Sequence, residues 1–154
     1  MTLRGYMAAP LLVCLLAPLA VAQSGTSMPA AEQHARLGDI MIAVQLRHMK
    51  LWFAGKAGNW QLADYELSQL EAGLMEAATL YLGNPTTNIA ALSKPAQAIA
   101  DAIEARDSEL FAKAVEDFTD GCNACHQSIG RGFIVIRVPT ESPFGNQVFP
   151  PREK

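Results

Sequence analysis

Between Asp120 and Gly130 the chain reads DGCNACHQSIG, which sets Cys122 and Cys125 three residues apart and His126 directly behind the second cysteine. C-x-x-C-H is the pattern of covalent haem c attachment. On a helix the two thiols lie one turn apart on one side, placed to add to the two vinyl groups of a haem, while the adjacent imidazole reaches the iron. Anchors and axial ligand are thereby set together. A histidine that binds iron through one ring nitrogen is expected to donate from the other to a backbone carbonyl, a carboxylate or water. Three rival chemistries draw on the same residues. A structural zinc site wants four ligands and would have to recruit His34 or His48 besides the motif. A redox-active dithiol belongs beside a βαβ pattern, which this sequence lacks. A plain disulfide leaves His126 without a role, so haem c is the reading that uses all three side chains.

The elements that must position the motif read as helices. Leu37, Ile40, Met41, Val44, Leu51 and Trp52 recur close to helical spacing with His48 on the same face, predicting a first helix over about residues 30 to 54 that Gly55 and Gly58 break. Asn59 is the expected N-cap of a second helix, whose stripe is Ala63, Leu67, Leu70, Leu74, Ala77, Ala78 and Tyr81 and which ends before Gly83-Asn84-Pro85. Pro95 suits a first turn, so a third helix is expected from near Ser93, after a connecting turn TTNIAAL, with Ala96, Ile99, Ala100 and Ile103 inward. Asp107 or Ser108 should cap the fourth, whose buried face runs Phe111, Ala114, Val115, Phe118, Cys122, Cys125. Four amphipathic helices with short connections and almost no strand signal predict an all-α fold, an antiparallel four-helix bundle. After Gly130 the composition changes: FIVIRV is strand-like, and Pro139, Pro143, Pro150 and Pro151 forbid helix. This extended C-terminal tail should drape over the bundle and shield the cofactor's edge, or pair with the same segment of a second subunit in a homodimer.

In an antiparallel bundle the end of the fourth helix faces the N-terminal half of the first. Met41 is the level-matched sixth ligand, and Met/His ligation raises the potential of the iron; the rival reading is a core methionine. His48 lies two turns further along, about 10 Å away, and is an alternative distal residue, a propionate contact or a buried core histidine. Gln45, with Arg47 and Lys50, is a possible haem contact through the propionates. Trp52, Trp60 and Tyr65 are expected to pack the corner between the first two helices, and His34 is given no role.

The first 22 of the 154 residues, MTLRGYMAAPLLVCLLAPLAVA, read as a signal peptide, with Arg4 as the positive end and Ala20-Val21-Ala22 as the cleavage site. Cys14 then leaves with it. Export to the periplasm puts the remaining two cysteines where thiols are oxidised, metallated or consumed by attachment. All 15 acidic residues remain while loss of Arg4 leaves 11 of the 12 basic ones, a net charge near −4 that does not suit nucleic acid. The division expected is a signal peptide over residues 1–22, a haem-bearing bundle over 23–130 and a tail over 131–154, with no membrane anchor once the signal is cleaved.

Residues 30 to 130 resemble cytochromes of the c-prime type, in which four helices form a bundle and C-x-x-C-H lies near the end of the last, as DGCNACHQSIG does here. The tail runs past that family's usual end. The resemblance implies an exported protein with one covalent haem c that carries electrons to a redox partner protein not named by the sequence, rather than an enzyme. Its alternative is a five-coordinate haem protein that binds small gases such as nitric oxide. A weak peroxidase would need a distal acid-base group, for which His48 is the candidate.

Overall fold

The structure, a computed structural model, describes residues 29–80 and 90–151, apart from the side chains of residues 30, 31, 33–35 and 80. The expected signal peptide, Tyr81 and most of the connection before Ser93 lie outside the described residues, as does the side chain of His34. Among the described residues there are four helices: α1 (Ala30–Lys56), α2 (Trp60–Leu80), α3 (Ser93–Ala105) and α4 (Ser108–Ser128). Among the described residues there is no strand, and no helix is long and apolar enough to cross a membrane. The fold is all-helical, with α1 packed on α2 and α4, and α3 packed on α4 and α2.

The stripes read from the sequence become the core. Val44, Leu51, Leu67, Leu70, Ile99, Ile103, Phe111, Val115 and Phe118 are buried in one cluster, with Cys122 packed against it from α4. The helix ends follow their residues. Asn59 accepts from the Leu62 amide at 3.2 Å and starts α2, and Asp107 accepts from the amides of Glu109 and Leu110, both at 2.9 Å, to start α4. One expectation is corrected. Gly55 does not break α1, which continues to Lys56; a Cβ at Gly55 would overlap the edge of the Phe111 ring, so the glycine serves close helix approach. The stop comes instead at Gly58, whose φ of 69° is left-handed.

Charge is buried at one point of the α1–α2 seam. Glu66 is 2% exposed and accepts from Arg47 at 2.9 Å, a contact that, with Tyr65 beside it, holds the guanidinium above its ordinary pKa. A carboxylate taken so far out of water requires such a partner. Tyr65 does not pack the corner as expected: it is 51% exposed, with Arg47 over its ring. Trp52 and Trp60 do pack there, their rings 6.3 Å and 5.8 Å from that of Phe111.

At the end of α4 the chain reverses. The Gly130 amide donates to Gln127 O at 3.2 Å and the Arg131 amide to His126 O at 2.7 Å, a Schellman ending that needs the left-handed φ of 70° at Gly130. Residues 131–151 contain neither helix nor strand, so the strand-like composition of FIVIRV is not realised as a strand. Its backbone polar groups instead meet side chains of α4. Phe149 is buried against Phe53 and Phe144, and its carbonyl accepts from Asn59 Nδ2 at 2.9 Å.

Candidate functional site

Met41, Gln45 and His48 from α1, and Cys122, Cys125 and His126 from α4, line a single cavity of ≈ 390 Å³. All six candidates read from the sequence meet there. That volume falls within the range of small-molecule and cofactor sites, roughly 300–1,000 Å³. Leu37, Val44, Leu74, Leu92 and Phe118 supply apolar walls, Gly38 leaves part of α1 bare, and exposed Ile42, Gln45 and Arg131 mark the mouth. Arg47 and Lys50 take no part: Arg47 is held by Glu66, and Lys50 lies 5.3 Å over the ring of Phe144.

The two thiols differ from those of a redox dithiol. Burial pushes the Cys122 thiol up to about 12, with Cys125 adding to the effect, and burial raises Cys125 as well. Both therefore stay protonated at neutral pH, whereas exchange chemistry needs a thiolate. They are free, not joined in a disulfide. Among the described residues no group of three or more His, Cys, Asp or Glu side chains could hold a metal ion, so a zinc site of four such ligands is not assembled there.

His126 has its ring fixed from behind. Its Nδ1 lies 2.9 Å from the carbonyl oxygen of Ile134 in the returning tail. A carbonyl can only accept, so Nδ1 carries the hydrogen, and in the neutral ring the lone pair is then on Nε2 of a side chain that lines the cavity. This is the tautomer that a metal ligand requires.

His48 is arranged differently. It is 3% exposed, and its Nε2 lies 2.8 Å from Thr119 Oγ1, whose own hydrogen is given to Val115 O at 2.7 Å. The hydroxyl must then accept from Nε2–H, which leaves Nδ1 as a bare acceptor without a hydrogen-bond partner. Desolvation lowers the pKa of His48 to about 4, so the ring is neutral at pH 7. It has no hydrogen to offer a propionate, which also only accepts, and no proton to give as a distal acid. Its remaining chemistry is a lone pair.

The sequence reading missed five contributors. Thr119 orients His48, Ile134 and Ile136 wall the cavity from the tail, Arg131 places a cation at its mouth, and Asn123 binds the tail. Gly130 was the available signal, because a helix-ending glycine four residues after His126 turns the chain back over the motif. The identity of the backbone acceptor had no signal in side-chain types. Comparison of the chain with protein-family models, with curated proteins and with solved structures yields no match.

Proposed function

We propose that this chain is an exported monohaem c-type cytochrome that transfers electrons. The observation that carries the reading is the convergence of Cys122, Cys125, His126 and Met41 on one apolar cavity of ≈ 390 Å³. Cys122 and Cys125 would hold the haem as thioethers, His126 would bind its iron through Nε2, and Met41 would supply a second ligand. When bound, such a group supplies a one-electron ferric/ferrous couple. The chain's own part is to keep the couple out of water, to present the Nε2 lone pair, and to offer Gln45 and Arg131 to the propionates at the mouth. An antiparallel course of the four helices, with the C-terminal tail laid over the cavity, agrees with the pairing of α1 with α2 and α4 and with the hydrogen bonds of residues 134 and 136.

A second reading, a gas-binding haem protein, is favoured by Gly38, beside which a Cβ would meet nothing within 4 Å. Bare wall there leaves room for a small sixth ligand if the Met41 thioether is not bound. Acidified acetone tests the parent proposal: the pigment must stay with the protein, and a colour that washes out overturns it. Electron paramagnetic resonance of the ferric form then separates the two readings. A low-spin Met/His signal that disappears in Met41→Ala supports electron transfer, whereas a high-spin signal with fast carbon monoxide uptake by the ferrous form supports gas binding.

A further inference from the structure

Asn123 occupies one of the two variable positions inside C-x-x-C-H, where the chemistry of attachment asks for no particular residue. Its side chain nevertheless makes two hydrogen bonds to one tail residue. Nδ2 donates to Ile136 O at 2.9 Å, and Oδ1 accepts from the Ile136 amide at 2.8 Å. The amide thus pairs with Ile136 as a neighbouring strand would. Two residues earlier the same segment delivers the Ile134 carbonyl to His126 Nδ1, and the Ile134 amide donates to Arg131 O at 2.8 Å, closing the turn that follows Gly130. The acceptor for His126 is therefore pinned on both sides, by the turn at Arg131 and by Asn123.

We infer that Asn123 is a positioning residue for His126: by clamping Ile136 it holds the Ile134 carbonyl against Nδ1 and so selects the ring's Nδ1–H tautomer. In its redox consequence this rests on the haem reading above. A carbonyl accepting from Nδ1–H makes Nε2 a stronger donor to a metal, which favours the ferric state and lowers the potential. The tail is then a tuning strap as well as a cover.

Two single variants of the full-length chain test this from opposite sides of the clamp. Asn123→Ala removes both side-chain bonds, and Ile136→Pro removes the amide given to Oδ1. In the haem-free chain, nitrogen NMR of His126 should show Nδ1–H in the parent and a move toward Nε2–H, the form a free imidazole side chain prefers in water, in both variants. In variants that retain pigment in acidified acetone, the potential should rise by roughly a tenfold change in ferrous-to-ferric ratio, about 59 mV for a one-electron couple. The double variant should add little to either single one, since both break the same contact. An unchanged tautomer in both variants overturns the inference, and so does an unchanged potential in a variant that keeps its pigment. If the parent itself loses its pigment, the cytochrome reading falls while the tautomer measurement still decides the role of Asn123.

Discussion

The two ends of α1 are built to opposite rules. Near its C-terminus Gly55 lies so close to Phe111 that no side chain fits, and Trp52, Trp60 and Phe111 fill the corner around it. Near its N-terminal half Gly38 meets nothing within 4 Å of where a Cβ would be, and the same helix face borders a cavity of ≈ 390 Å³. Glycine brings two surfaces together at one end and leaves a surface bare at the other. One end of the bundle supplies the stability that the other forgoes. On the haem reading proposed above, the cluster of Trp52, Trp60 and Phe111 stands apart from the cavity that would take the cofactor.

The sharpest way to break this contrast is to truncate a ring at the closed end. Phe111→Ala should cost about 3–5 kcal/mol of unfolding free energy in urea titrations, whereas Met41→Ala, on a wall that already faces open volume, should cost less than about 2 kcal/mol. Equal losses would erase the distinction. Next in size is a pH effect confined to the cavity end. His48 binds a proton only near pH 4 in the fold but near its ordinary 6.5 when unfolded, so the unfolded chain takes up the proton first as pH falls. The contribution is fully present above about pH 6.5 and is lost progressively toward pH 4, roughly 3 kcal/mol in all. His48→Gln should abolish that portion of the acid sensitivity when urea midpoints at pH 7 and pH 4.5 are compared with those of the parent.

Smaller effects sharpen the comparison at the glycines. Gly55→Ala should destabilise by about 1–3 kcal/mol, because the methyl group and the Phe111 ring compete for one space. Gly38→Ala should do the reverse in the haem-free chain, adding about 0.5–1 kcal/mol as an unobstructed helical alanine. Thermal unfolding of the two variants side by side checks the opposite signs. The same substitution in one helix would then report packing at one place and propensity at the other.

Much of this contrast was legible in the sequence, for reasons tied to particular residues. Burial patterns at a spacing of three and four placed Val44, Leu51, Leu67, Leu70, Ile99 and Phe118 inside, since a helix has one face to hide and those residues mark it. Asn59 and Asp107 announced helix starts because few residues can accept from free amides there. Met41 could be brought level with the motif by counting turns, whereas His48 was placed two turns further along the same face, about 10 Å away. Gly55 was misread, because a glycine that admits a neighbouring ring has the same letter as one that ends a helix. Tyr65 was misread because an aromatic ring beneath an arginine looks, in sequence, like one beneath a core. The tail's course was illegible in its side chains, since what holds it at residues 134 and 136 is backbone, and its FIVIRV composition pointed to a strand that does not form.

One amide joins two ends of this history. Asn59 starts α2 with its oxygen while its nitrogen grips the carbonyl of Phe149, ninety residues away. The last turn of the chain and the first turn of the second helix are thus fastened by the same knot, and neither loosens without the other. Proteolytic nicking near the C-terminus should therefore be felt at the far corner of the protein, and the tail and helices should melt in a single transition rather than peel apart.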